Sequence, residues 1–405
     1  MKKTLWILPV AVAIAALSAA AQSILQPGTA ALSKFLADAT ARGDVPGVVV
    51  TVVNSDGVLY HEAFGKSSTL RNTPMAKDTI FNIASMTKAV TSVAIMMLVD
   101  EGKLKLDDDV ATYLPKYKEP LVISKFNSAD GSYETRPAKR PITIRHLLTH
   151  TSGIGYGFAS QTVTALSQKT MMTELDLPLL FEPGEGWAYG ASTRVLGHVV
   201  EAISGQKIDA FLDARILKPL GMRDTSYAVP QSNNPRVVAV NARGNDGKFV
   251  ERPMPATIAS PVQGDGGLYS TAADYGLFLR MLLNRGRLGN TRILSVKSAR
   301  SMFDNHTGKV VVQRQVSAAP ALSRDFPAGA GEDTWGLGFQ LARAKRPNMR
   351  TPGSGTWAGI FNTHFFIDPS RGIGVVVMMQ TLPFYDDASM KVYAGVEEIV
   401  YRNLK

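Results

Sequence analysis

A serine and a lysine stand three residues apart, Ser85 and Lys88, at the mouth of the apolar run FNIASMTKAVTSVAIMMLVDEG. On a helix that spacing puts both side chains on nearly the same face. An ammonium carried into apolar surroundings costs several kcal/mol unless it is paired or gives up its proton. The same desolvation gives it a use. A serine hydroxyl is a weak nucleophile that needs a neighbouring base, and a desolvated lysine amine can accept its proton. A helix N-terminus adds partial positive charge and N–H groups where an oxyanion would form. Another S-x-x-K, Ser204 to Lys207, falls at a helix stop and lacks this context. The plain alternative makes Ser85 a helix cap and lets Lys88 reach out to water. The pair alone does not decide between the two.

The segment EPGEGWAYGASTR adds a third group. Tyr189 ends a glycine-rich turn just before a helix expected to begin around Ser192, with Ser192 as its candidate N-cap and Gly205 as its stop. Beside a lysine cation and a helix N-terminus the anion of a phenol is favoured, so Tyr189 is a candidate general base. A tyrosine that only packs the turn is the competing reading. Other chemistries find less support. His146 and His150 are four apart, but no H-E-x-x-H glutamate accompanies them, so no metal is expected. The chain has no cysteine, which excludes disulfides and thiolate ligands, and no G-x-S-x-G. The glycines at 153, 155 and 157, and at 264, 266 and 267, read as turns. No cofactor is implied. His364 is expected on a strand, facing the crevice or solvent.

The elements that must hold these groups follow from periodicity. GTAALSKFLADATARG reads as an amphipathic helix, followed by a hairpin of VVVTVV, the turn NSDG and VLYHEAFG. Near the other end GIFNTHFFI, the turn DPSRG and IGVVVMMQ form a further hairpin, preceded by a strand in WGLGFQL and followed by a helix in ASMKVYAGVEEIVYRNL. Helices fill the middle. Strands at both ends must pair across a helical block, which implies an α/β (α+β) fold: an antiparallel sheet flanked by helices, with an inserted, mainly helical lobe. The expected α/β lobe covers about 22–80 and 255–405 and the helical lobe about 81–254, in a single domain. Irregular segments are expected at 116–140 and 305–333.

With Ser85, Lys88 and Tyr189 in place, the chain resembles the serine β-lactamase-like hydrolases, which include class C β-lactamases, D-alanyl-D-alanine peptidases and family VIII carboxylesterases. The similarity runs from about Leu32 to Tyr401 and includes ITIRHLLTHTSGI and GDGGLYSTAADYGLFLRMLL. The β-lactamase pattern has asparagine two residues after the tyrosine; here Gly190 and Ala191 follow Tyr189. In place of K-T-G the chain offers Trp357, Ala358 and Gly359, similar to the W-G-G of family VIII esterases. A neutral tryptophan cannot pair with a substrate carboxylate as the motif lysine can. The resemblance therefore implies an esterase for uncharged, short-chain esters, with Trp357, Ala358 and Gly359 contacting substrate and the backbone N–H groups of Ser85 and Ile360 holding the oxyanion. The alternatives are a class C-like β-lactamase or D-amino acid peptidase of the same fold, which would take β-lactams, and a non-catalytic cell-wall-binding protein.

The first residues, with Lys2, Lys3, an apolar run and Ala19 and Ala21 in A-x-A spacing, read as a signal peptide over 1–21, which predicts a periplasmic or secreted protein with no stable membrane insertion. Removing those two lysines takes the net charge from +10 to +8. The remaining cations are scattered, with only RPAKR clustered, so no nucleic-acid partner is expected. The sequence leaves the oligomeric state open.

Overall fold

The computed structural model describes residues 23–405, so the signal peptide expected over 1–21 lies outside the described residues. In chain order, the elements that build the sheet and position the site are α1 (Gln26–Arg42), β1 (Gly47–Asn54), β2 (Val58–Ser68), β3 (Thr73–Pro74), α2 (Thr87–Asp100), α3 (Ile144–Leu148), α4 (Ser192–Ser204), α5 (Ala272–Leu283), β4 (Thr334–Trp335), β5 (Gln340–Leu341), β6 (Gly355–Gly359), β7 (Thr363–Asp368), β8 (Ile373–Met378) and α6 (Asp387–Arg402). The strands form one antiparallel sheet in the order β4-β5-β6-β7-β8-β1-β2-β3. Strands from the two ends of the chain meet where β1 pairs with β8, Val49 opposite Met378.

Both faces of the sheet are covered, which is why β1 reads as a continuous apolar run and not as an alternation. Val49, Val53, Phe365, Val376 and Met378 face the larger core, which also holds α2 and α5. Their neighbours Val48, Val50, Val52, Phe366, Val375 and Val377 face Leu32 and Leu36 of α1 and Val392 and Val396 of α6. Helix α2 lies inside the larger core and is buried from Thr87 to Leu98. A helix apolar on every side is stable only when enclosed in this way. Among the described residues no helix is long and apolar enough to cross a membrane.

Four local expectations change. Leu121–Phe126 and Tyr133–Pro137 pair as a hairpin inside the stretch read as irregular; only Val122 of the first strand is buried, so no alternation betrays it. WGLGFQL splits into β4 and β5 around Gly338, whose φ of +97° suits glycine. Ser192 is the first helical residue of α4 and not its cap, since its hydroxyl is hydrogen-bonded to Ser152 at 2.8 Å. His364 faces neither crevice nor solvent. It is buried on the α6 side of the sheet, stacked on Tyr393 at 4.5 Å between ring centres.

Candidate active site

The nucleophile candidate sits on a strained entry to α2. Ala84, immediately before Ser85, has φ +41°, a region an alanine enters only when its surroundings impose it. The Asn82 side-chain oxygen accepts from Ala84 N at 3.0 Å, and the Tyr275 hydroxyl donates to Met86 O at 3.0 Å, fixing the turn Ala84–Met86 from both sides. The Ser85 side chain makes no capping bond, so the plain alternative for this residue falls away. Strand β6 closes on the same turn. A Cβ on Gly359 would lie inside the van der Waals radii of Ile83 O and Thr363 Oγ1, so only glycine lets the strand end come this near. Ile360, next in the chain, lines the cleft together with Ser85.

Lys88 is 2% exposed and does not reach out to water. Its Nζ donates to Ser85 Oγ at 3.2 Å, to Tyr156 OH at 3.0 Å and to the main-chain oxygen of Asp265 at 2.6 Å. It also lies 5.0 Å from the ring centre of Tyr156 and 4.9 Å from that of Tyr189. The 264–268 segment is tied to the first turns of α2: Thr91 Oγ1 donates to Gly264 O at 2.7 Å, and Leu268 N donates to Thr87 Oγ1 at 3.2 Å. Gly264 and Gly197 of α4 touch backbone to backbone, which leaves Asp265 beside Arg194.

Two of these contacts involve Tyr156 and Asp265, which no motif in the sequence singles out. Tyr156 OH donates to Asp265 Oδ2, and the Asp265 carboxylate is gripped by Arg194, with Nε 3.1 and 3.2 Å from its two oxygens. Burial, followed by the Asp265 charge, holds the Tyr156 phenol well above its usual range, so it stays protonated. The signal was present in the sequence. GIGYGF and QGDGG each set Tyr156 or Asp265 among glycines, a pattern that turn formation alone also explains.

Tyr189 is close to the pair without joining its hydrogen bonds. Its ring faces Lys88, while its hydroxyl accepts from Trp357 Nε1 at 3.2 Å. Gly190 is needed because a Cβ there would collide with Ile154 O. The Gln315 side chain accepts from Tyr189 N at 3.2 Å, and Phe326 packs edge-on at 5.6 Å, so the 305–333 stretch braces the tyrosine. Trp357 and Ala358 are buried and lie away from the cleft, contrary to the expected substrate contact. The alternation of β6 turns Ala358 to the α6 side, and the indole is clamped between Tyr189 and Trp335.

The cleft over Ser85 has a volume of about 340 Å³ and is lined by Tyr156, Phe158, Arg194, Ile360 and Phe361, among others. A smaller cavity of about 110 Å³ lies behind β6, between His364, Trp357 and α6, and shares no lining residue with the cleft. His150 packs against the Tyr189 ring at 5.0 Å; burial and then the Lys88 charge hold it well below its usual range, so it is neutral. Among the described residues no group of His, Cys, Asp or Glu is placed to hold a metal ion.

A serine whose hydroxyl touches a buried amine, at the floor of an open cleft, fits nucleophilic acyl transfer. The beta-lactamase family model matches residues 32–397. The chain belongs to the beta-lactamase family. Within that family it is similar to Protein Rv1367c of Mycobacterium tuberculosis (strain ATCC 25618 / H37Rv), 32% identical over 87% of this chain and 90% of the relative. Esterase EstB of Burkholderia gladioli is 30% identical over 88% of this chain and 90% of its own length. The fold matches that of simvastatin synthase (LovD) from Aspergillus terreus, with a TM-score of 0.78, 24% identity and coverage of 93% of this chain and 98% of that one. The protein is thus a serine hydrolase of beta-lactamase fold with esterase relatives.

Proposed function

We propose that the protein is a carboxylesterase for small uncharged esters that works through an acyl-enzyme on Ser85. The observation that carries the reading is the 3.2 Å contact between Lys88 Nζ and Ser85 Oγ, made by an amine removed from water beneath an open cleft. The Ser85 O–H bond breaks and its proton passes to the Lys88 amine as Oγ bonds to the ester carbonyl carbon. The carbonyl electron pair moves to oxygen, beside the backbone N–H groups assigned to Ser85 and Ile360. Collapse expels the alcohol, which takes a proton back from the Lys88 and Tyr189 side of the site. Water then repeats the sequence and releases the acid. Lys88 Nζ lies 4.9 Å from the centre of the Tyr189 ring.

Several features favour an ester over a β-lactam. The lysine of K-T-G is replaced by Trp357, and the position two residues after Tyr189 is Ala191, which offers no side-chain amide. Phe158, Ile360 and Phe361 give the cleft an apolar wall suited to a short acyl chain. The expected signal peptide would deliver the enzyme to the periplasm or medium.

The test is hydrolysis of p-nitrophenyl butyrate together with labelling by a fluorophosphonate. Wild type is expected to turn over the ester and to carry the label on Ser85, whereas Ser85→Ala does neither. Full turnover by Ser85→Ala would end the proposal. Nitrocefin hydrolysis far faster than ester hydrolysis would move the assignment to a β-lactamase.

A further inference from the structure

The directions of the hydrogen bonds around Lys88 can be assigned one by one, and they determine where its lone pair points. The Asp265 carboxylate can only accept, and it accepts from Arg194 and from Tyr156 OH. The Tyr156 proton is therefore committed to Asp265, and what the phenol oxygen presents to Lys88, 3.0 Å away, is a lone pair. The main-chain oxygen of Asp265, 2.6 Å from Nζ on another side, is also only an acceptor. Two of the three tetrahedral positions left on Nζ must then carry hydrogens pointing at Tyr156 and Asp265. The remaining position faces Ser85 Oγ. When Lys88 is an ammonium this position holds a hydrogen; when it is an amine it holds the lone pair.

We propose that Asp265 is the positioning residue of this site. It acts on Lys88 directly through its main-chain oxygen and indirectly by locking the Tyr156 proton, so that the neutral amine can present its lone pair only to the Ser85 hydroxyl. Tyr156 relays this constraint and does not serve as the base. The surroundings are built for the role. Asp265 is 3% exposed and flanked by glycines; a Cβ on Gly264 would strike Thr193 O, and Arg194 holds the carboxylate while also reaching Glu174 at 3.5 Å. A Lys88 free to rotate would spend part of its time with a hydrogen aimed at Ser85, an orientation from which no proton can be accepted.

The inference rests on the esterase reading and is tested with Asp265→Asn, Tyr156→Phe and the double variant, on p-nitrophenyl butyrate. An asparagine can offer its own N–H to the phenol and release the tyrosine proton toward Lys88. Asp265→Asn is expected to lower kcat about 10-fold or more, and Tyr156→Phe about 10- to 100-fold, with KM within about twofold of wild type in both. Because Asp265's carboxylate acts through Tyr156, the double variant should be no slower than Tyr156→Phe alone. Fluorophosphonate labelling of Ser85 should become slower by the same factors but still reach one label per chain, which separates misaimed chemistry from misfolding. Losses that multiply in the double variant, losses that sit in KM, or a wild-type kcat in either single variant would overturn the assignment. If Asp265→Asn does not fold, Tyr156→Phe, which keeps the Arg194–Asp265 pair, decides alone on its kcat. An unlabelled Ser85 in wild type would instead remove the esterase reading itself.

Discussion

The indole N–H of Trp357 lies 3.2 Å from the hydroxyl of Tyr189, so the tryptophan standing in place of the K-T-G lysine holds Tyr189 and does not line the cleft over Ser85. The two rings are in contact at 4.8 Å, and the indole is backed by Trp335 at 4.7 Å. Trp357→Phe keeps an aromatic ring but takes the donor from a buried hydroxyl. The expected cost is about 1–3 kcal/mol of stability, with kcat reduced several-fold and KM little changed. Thermal unfolding and a Michaelis curve on one ester check this. A change confined to KM, varying with the ester's alcohol, would return Trp357 to the role of a substrate platform.

Replacing the buried lysine separates function from stability. Lys88→Met fills a similar volume without charge. It removes the proposed base, so ester turnover should fall about 100- to 10,000-fold. It also removes a desolvated polar group from a core position, although three oxygens lose their partner, so the melting temperature should change little compared with the loss of a purely structural ion pair. A variant that unfolds outright would show that the lysine is held for the fold.

The pairing of Ser85 with Lys88 and the helix that follows could be read from the sequence because the relevant signals are local. Ser85, in the turn Ala84–Met86, and Lys88, in the first turn of α2, are only three residues apart, and α2 announces itself by an apolar run with a single lysine in it. The hairpins β1–β2 and β7–β8 and the helices α1 and α6 were legible for the same reason. What could not be read is set by contacts across long separations. Tyr156 and Asp265 are 109 residues apart, and Lys88 lies 177 residues from the carbonyl it bonds. No periodicity encodes such meetings. The side of the sheet that Trp357 and Ala358 face depends on register, and β6 is short enough that register could not be fixed without its partner β7, where Ala358 stands opposite His364. The Leu121–Phe126 hairpin leaves no trace in the sequence because a strand with one buried residue carries no alternation.

Gly359 offers a test of the closeness between β6 and the turn Ala84–Met86 that carries Ser85. A methyl group at this position meets the main-chain oxygen of Ile83 and the side chain of Thr363, and a backbone oxygen cannot rotate away. In Gly359→Ala the strand end must withdraw from the turn, with an overpacking cost of about 1–3 kcal/mol. Withdrawal also carries the Ile360 N–H away from Ser85, so kcat for p-nitrophenyl butyrate should drop more than stability alone explains, by about 100-fold if one oxyanion donor is lost. Gly353→Ala, two residues before the other end of β6, with open space around its Cβ and φ +90°, serves as the control: strained, yet with turnover retained. Equal kinetic losses in both variants would mean that the effect is general strain and that Ile360 holds no oxyanion.

His364 gives the fold an acid sensitivity that can be dissected. Burial, and secondarily the Arg350 charge, push its imidazole down to about 3 from its ordinary 6.5. The folded protein therefore keeps this ring neutral while the unfolded chain protonates it below 6.5. Protons then favour unfolding, so the stabilisation present above pH 6.5 is lost progressively as pH falls toward 3. At pH 5 the unfolded chain's protonation of this one group corresponds to about 2 kcal/mol. His364→Phe retains the stack on Tyr393 and has nothing to titrate. Urea midpoints at pH 7.5 and pH 5 should show wild type losing more stability between the two than the variant, by about that amount. Parallel losses in the two proteins would place the acid sensitivity elsewhere, with the buried His150 as the next group to replace.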